Sequence, residues 1–341
     1  MVKKMFSRIL VTWSDGQVGE ELQRSNQDDN IEYLFLTQSD LNVSAKRKTE
    51  DIVKEFKPDL IINLATFSDI LSAEQNFAEA YSINVLGVRN LVSICEKYDI
   101  ALLHISDTYV FKGDKDAAYI ETDPVNPKTV YGKTLALAEN LIQKKLKNYV
   151  ILRTSWLYSN FSNNFFTKFL VKSQYTSELT VNDEQLSSPT STKELCRAID
   201  RIITKGITEE NAGVYHFTGL GITSMSLFAE EVFTAAKIPM IVIPVLAGDA
   251  GIIIEEPFFL YLSSLKFISE FGYTPQHWKN ALIEMIETSA IVPIKPGYNV
   301  TWDNEEYFIS SIDWAKRIVT ISTSKDNFLQ LKFDELVNKI K

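Results

Sequence analysis

Apolar residues in the first half of the chain fall in short, continuous runs. Residues 8–12, 31–36, 59–63, 100–106 and 149–153 each make one, with the length of a strand buried on both faces. Between them the pattern switches to a helical period: 17–24; 46–56, with Ile52, Val53 and Phe56 on one face; 73–97 as one or two helices; and 130–146. Buried strands alternating with helices predict a parallel sheet covered on both faces. This is the doubly wound α/β class, which takes ligands outside the carboxyl ends of its strands.

Residues 160–286 mix short strands and helices with loops such as Ser187-Ser188-Pro189-Thr190 and read as a smaller substrate lobe. After Pro293 the texture changes. Alternating runs at Tyr298/Val300/Trp302, Tyr307/Ile309, Ile318/Thr320 and Phe328/Gln330/Lys332 are punctuated by Asp303-Asn304 and Asp326-Asn327. They predict four or five short strands, a small β-barrel or meander that leans on the main domain. The expected organisation is residues 1–290 as one α/β domain (1–158 a nucleotide-binding core, 159–290 mainly the lobe) and 295–338 as a small barrel-like all-β domain. Trp302, Tyr307 and Trp314 read either as that segment's core or as a docking surface.

Composition narrows the class. The chain has 341 residues, 45% apolar and 23% charged, with a net charge of −9, which fits a folded globular protein and argues against nucleic acid as a partner. Cys95 and Cys196 sit in no metal or redox spacing and read as small buried hydrophobes. The three histidines, His104, His216 and His277, are scattered, and no metal is expected. Glu255-Glu256 reads as surface, and the apolar run 258–262 as core or interface. The N-terminal apolar run is too short for a secretory signal or a membrane span, so the expectation is a cytoplasmic protein that does not enter the membrane.

The turn after the first strand carries candidate chemistry. In such folds glycines there let the backbone approach a diphosphate seated on the helix N-terminus. A Gly-x-x-Gly-x-x-Gly pattern would occupy positions 13, 16 and 19; the chain keeps Gly16 and Gly19 but has Trp13, with Asp15 beside it. The expectation is that the indole and the carboxylate disfavour a dinucleotide.

An ordered series of short stretches then resembles one family. Ile9-Leu10-Val11, Gly16-Gln17-Val18-Gly19, Pro58-Asp59-Leu60-Ile61-Ile62-Asn63, Ser106 with Tyr109-Val110-Phe111, Glu121-Thr122-Asp123 and Val130-Tyr131-Gly132 come first. Arg153-Thr154-Ser155-Trp156, Asn163-Asn164-Phe165, Ser188-Pro189-Thr190 and Gly213-Val214-Tyr215-His216 follow. Over about residues 6–288 the chain is similar to the dTDP-4-dehydrorhamnose reductase family of extended short-chain dehydrogenases. The resemblance implies a Rossmann-like core with a sugar-nucleotide lobe, NADP or NAD as cofactor, and reduction of the 4-keto group of a dTDP-6-deoxysugar. It places Gly16, Gln17, Val18, Asp40, Leu41, Leu64 and Ala65 at cofactor positions, Trp156 and Gln185 at substrate positions, and Tyr131 with the 106–108 segment at the reacting carbonyl. The family also contains a non-catalytic relative, the regulatory β subunit of methionine adenosyltransferase, so the fold serves binding without turnover as well.

Four positions depart from the family's pattern. Its Tyr is Tyr131, but the Lys four residues on is Leu135; Lys133 lies off that helix face and reads, like Lys128, as solvated surface charge. Without an ammonium the phenol is expected near its ordinary pKa of about 10. The family's Ser-Thr-Asp is Ser106-Asp107-Thr108, so an acid stands where a hydroxyl would polarise the carbonyl, and an ionised carboxylate donates no hydrogen bond. The 258–265 stretch holds no arginine for a diphosphate. With the missing first glycine, these losses touch separate steps. The leading expectation is an impaired or inactive homologue that acts as a sugar-nucleotide-binding or regulatory subunit, with a dTDP-sugar as candidate ligand and a protein partner or a homo-oligomer as candidate assembly. The alternative is an active reductase using Tyr131 with Ser106, Thr108 or Lys133 displaced into service.

Overall fold

A computed structural model describes residues 6–25, 30–174, 176–246, 256–288, 299–302, 305–313, 318–323 and 328–332. Strands β1 (Arg8–Thr12), β2 (Glu32–Leu36), β3 (Leu60–Asn63), β4 (Ala101–Asp107) and β5 (Tyr149–Thr154) join Gly213–His216 in a six-stranded parallel sheet. Its order is β2-β1-β3-β4-β5-(Gly213–His216). The order reverses between β1 and β3, so a crevice opens beyond the carboxyl ends of the strands.

Alternate residues of each strand face opposite layers. Ile9, Val11, Ile62, Leu103 and Leu152 pack with Leu195, Ile199 and Ile202 of α8 (Thr192–Lys205) and with Val18 and Leu22 of α1 (Gln17–Ser25). Leu10, Ile61, Leu102 and Ile151 face α2 (Lys46–Phe56), α5 (Val88–Tyr98) and α6 (Val130–Lys145). Continuously apolar strands are what a sheet covered on both sides requires.

The 73–97 stretch is more broken than its apolar pattern predicts. It holds α3 (Ile70–Gln75), α4 (Phe77–Tyr81), a π-helical turn over Ser82–Gly87, and α5. Asn76 ends α3 and caps α4 through Glu79 N. In the π turn Asn84 Nδ2 donates to Thr134 Oγ1 at 2.9 Å and to the Phe67 carbonyl at 3.1 Å. Those buried side-chain bonds join the turn to α6 and to the segment after β3.

The lobe is interleaved with the sheet rather than following it. Gly213–His216 is its sixth strand and α8 covers one face, because the chain returns to the core after 159. Helix α7 (Phe165–Lys172), helix Met225–Ala235 and helix Trp278–Glu287 enclose a separate aromatic cluster around Tyr158, Phe166, Phe228 and Trp278. Strands Asn299–Trp302, Glu305–Asp313, Ile318–Ser322 and Phe328–Lys332 pair in sequence order as an antiparallel meander. Trp302 is buried with Val300, Ile309 and Ile321, and Tyr307 packs against them, as the sheet's own core. Trp314 lies outside the described residues.

Candidate functional site

A cleft of about 570 Å³ lies at the carboxyl ends of β1, β4 and β5. The turn 13–19 forms one wall; Leu64, Thr66 and Ser68 follow β3; Ile105, Ser106 and Asp107 end β4; Thr154 ends β5. Tyr109, Tyr131, Trp156 and Phe165 supply aromatic surface.

The turn keeps the geometry of a nucleotide-binding loop. Gly19 is obligatory: a Cβ there would sit 2.4 Å from Ser14 Cα, so α1 packs directly on the turn. Its first-turn N–H groups, at Gln17, Val18 and Gly19, are the free donors of a helix N-terminus. Trp13 stands where the first glycine would, with φ +49°, so the backbone holds a conformation suited to glycine and strained for an indole-bearing residue. Trp13 does not fill the cleft. Its Nε1–H donates to the Leu41 carbonyl at 3.1 Å and its ring leans on the core cluster of Leu41 and Val43. Asp15 is exposed and accepts from Gln38 N at 3.0 Å, and Gln17 Nε2 donates to the Leu157 carbonyl at 3.3 Å.

The opposite wall is set by Gly132. A Cβ there would meet the Tyr109 carbonyl at 2.1 Å, so α6 lies against the Thr108–Val110 turn and delivers Tyr131 beside Asp107. The rings of Tyr131 and Tyr109 are 5.7 Å apart. Burial, then the charge of Asp107, pushes the Tyr131 phenol well above its ordinary value. Asp107 Oδ1 accepts from Tyr109 N at 3.0 Å and from Thr108 Oγ1 at 3.1 Å. Desolvation nonetheless raises its pKa to about 6, against the hydrogen bonding from Tyr109 and Thr108.

Several polar side chains are spoken for elsewhere. Ser106 Oγ donates to Glu139 Oε1 at 2.6 Å, inside a buried network in which Arg153 binds Glu139 at 2.6 and 2.9 Å and reaches His216 at 3.2 Å. Thr108 is fully buried and bonded to Asp107. Gln185 Nε2 donates to Glu256 Oε2 at 2.6 Å and to the Tyr109 hydroxyl at 2.9 Å. Glu256 is therefore half-buried in this cluster rather than a plain surface acid. Thr154 Oγ1, by contrast, is buried with no partner among the described residues.

The family model for the RmlD substrate binding domain matches residues 7–291. The chain belongs to the RmlD substrate-binding family. It is 33% identical over 286 residues to a dTDP-4-dehydrorhamnose reductase of Aggregatibacter actinomycetemcomitans, covering 81% of this chain and 97% of that one. It is 32% identical over 281 residues to the Bacillus subtilis spore coat polysaccharide biosynthesis protein SpsK, covering 82% and 97%. Among solved structures, a dTDP-4-dehydrorhamnose reductase of Bacillus anthracis in complex with NADP matches with a TM-score of 0.79 and 28% identity, over 83% of this chain and all of that one (100%).

Set against the RmlD pattern, the expected positions separate. Gly16, Gln17, Val18 and Leu64 line the cleft, whereas Asp40, Leu41 and Ala65 do not. Asp40 is exposed and turned to Thr37, and Leu41 and Ala65 are buried. Trp156 lines the cleft with φ +41°; Gln185 does not line it. Tyr131 and Asp107 are brought together, while Ser106 is bonded to Glu139, Thr108 is buried, and Lys133 is exposed on α6. Leu135 is 1% exposed in the apolar cluster of Tyr109, Val110 and Leu260. The phenol pKa moves up rather than staying near 10, because burial of the phenol and the neighbouring Asp107 charge both disfavour the phenolate.

Thr154 was not singled out from the sequence, although its place at a strand's carboxyl end is where this fold puts ligand contacts. Cys95 and Cys196 are free and buried, with thiols pushed up by desolvation, Cys95 to about 12. Among the described residues no group of His, Cys, Asp and Glu is arranged to hold a metal, and no helix is long and apolar enough to cross a membrane.

Proposed function

We propose that this RmlD-family protein binds a dTDP-6-deoxysugar and NADP or NAD in the cleft at the head of the sheet, and serves polysaccharide biosynthesis with little or no hydride transfer. One observation carries the reading. Among the described residues, the cleft lining contains Asp15 and Asp107 but no lysine, arginine or histidine.

The cofactor fits this chain in part. Gly16, Val18 and Gly19 at the N-terminus of α1 suit a diphosphate. Leu135 offers the nicotinamide ribose nothing. When bound, the dinucleotide supplies a hydride. The chain's own residues then have to donate a proton at the carbonyl oxygen, and a phenol pushed up by burial and by Asp107, with no ammonium beside it, is a poor acid for that task. On this reading residues 1–290 act as the ligand-binding unit, and the all-β segment 295–338 or a second copy of the chain supplies contacts to partners.

Calorimetric titration of the full chain with NADPH and NADH, then with a dTDP-4-keto-6-deoxysugar, tests the proposal. Saturable binding of both ligands with turnover at least about a thousandfold below an intact-motif relative is expected, the order of effect of losing one electrostatic contributor with its acid–base partner. Family-like turnover abolished by Tyr131→Phe instead establishes the second reading, an active reductase using Tyr131, which keeps its place in the cleft wall.

A further inference from the structure

We propose that Asp107 makes this cleft selective for a sugar nucleotide bearing a hydrogen-bond donor, a 4-hydroxyl, at the ring position where the family's reductases take a ketone. The inference rests on the reading of the cleft as a sugar-nucleotide site and names which member of that ligand class it holds.

The geometry fixes what Asp107 can offer. Its Oδ1 is occupied by Tyr109 N and Thr108 Oγ1. Oδ2 has no partner among the described residues and is not sealed from the cleft. It stands at the end of β4, in the position of the hydroxyl that would donate to a carbonyl. A hydroxyl side chain donates to a ketone, whereas an ionised carboxyl only accepts. A ketone oxygen set against Oδ2 brings lone pairs onto negative charge in a desolvated site; a 4-hydroxyl places a proton between the two oxygens in a charge-assisted bond. A buried group built to bond a ligand hydroxyl rejects the analogue that lacks it more strongly than apolar shape alone does.

Among the described residues that line the cleft, no cation weakens this preference. Tyr131 of α6 and Tyr109 of the following turn face Asp107 with neutral phenols. Glu256 lies beyond the Tyr109 hydroxyl, and Asp15 is the other acid of the lining. Glu139 of α6 is neutralised by Arg153 beneath the sheet end. The carboxyl itself is raised to about 6, so it is mainly ionised at pH 7.5 and mainly protonated at pH 5. Protonation turns Oδ2 into a donor and removes the bias against the ketone.

The test is calorimetry on the full chain without nicotinamide cofactor, so that no turnover intervenes, using dTDP-4-keto-6-deoxyglucose and its 4-hydroxy reduction product. The hydroxy compound should bind at least about tenfold tighter at pH 7.5, a gap of about 1.4 kcal/mol, and the gap should narrow towards pH 5. Asp107→Asn, whose amide both donates and accepts, should bring the two ligands within about threefold of each other at either pH. Asp107→Thr should reverse the preference. Equal or tighter binding of the ketone by the unaltered chain at pH 7.5, or a preference unchanged in Asp107→Asn, overturns the inference and leaves the sugar-nucleotide reading standing. Failure of the unaltered chain to bind either ligand at millimolar concentration overturns that reading and the inference with it. The pH series on the unaltered chain decides the matter even where a variant folds poorly.

Discussion

The Ser106 hydroxyl donates a 2.6 Å hydrogen bond to Glu139 Oε1, and that single contact removes Ser106 from the chemistry of the cleft it borders. The carboxylate it serves forms a buried ion pair with Arg153, the two side chains being 1% and 2% exposed. Removing one partner of such a pair leaves an uncompensated charge, which costs about 3–5 kcal/mol. Glu139→Ala should therefore lower stability by about that amount in urea denaturation. Ser106→Ala should leave ligand affinity within about twofold, since a hydroxyl already engaged elsewhere contributes no contact.

Leu135 lies one helical turn from Tyr131, where a lysine would meet the phenol. Leu135→Lys should pull the phenol's pKa down and tighten NADPH binding in calorimetry. Thermal stability should fall at the same time, because the new ammonium enters the cluster of Tyr109, Val110 and Leu260. No gain in cofactor affinity in a folded variant would show that the missing lysine is not what limits this site.

The raised carboxyl of Asp107 makes stability depend on pH with a definite sign. Its folded value, about 6, exceeds the ordinary 3.8. Ionisation therefore destabilises the fold above about pH 6, and the penalty fades as pH falls towards 4. Asp107→Asn should be more stable than the unaltered chain by about 3 kcal/mol at pH 8, with the difference vanishing near pH 4. Urea midpoints across that range check it.

Two buried histidines act with the opposite sign. Burial lowers His104 to about 4, and burial with the Arg153 charge lowers His216 to about 3, from an ordinary 6.5. Each stays neutral in the fold, so its contribution is complete above pH 6.5 and is lost on acidification below it. The slope is about 1.4 kcal/mol per pH unit for each group. His104→Gln should flatten the loss of stability between pH 6.5 and 5, measured by chemical denaturation.

How much of this was legible in the sequence follows from how local each signal is. The strands were legible because parallel strands covered on both faces are apolar throughout, and the helix 46–56 because Val53 and Phe56 recur at helical spacing. The π turn at Ser82–Gly87 was not, since it depends on Asn84 reaching Thr134, 50 residues away. In the site, the glycine turn was legible from its place after the first strand, and Tyr131 and Asp107 from the family resemblance. The anchoring of Trp13 in the cleft wall was not, because it rests on a bond to the Leu41 carbonyl, 28 residues away. Nor was the loss of Ser106 and Gln185 to Glu139 and Glu256, partners that only tertiary folding brings near.

Among the described residues the cleft is lined by no positive side chain, on a chain of net charge −9, and on the proposed reading this has a consequence for kinetics. A sugar nucleotide or a dinucleotide arrives carrying negative phosphates, and the long-range field here repels it instead of gathering it in. Capture should therefore be slow, and added salt should speed it by screening the repulsion, the reverse of the behaviour of an electrostatically steered enzyme.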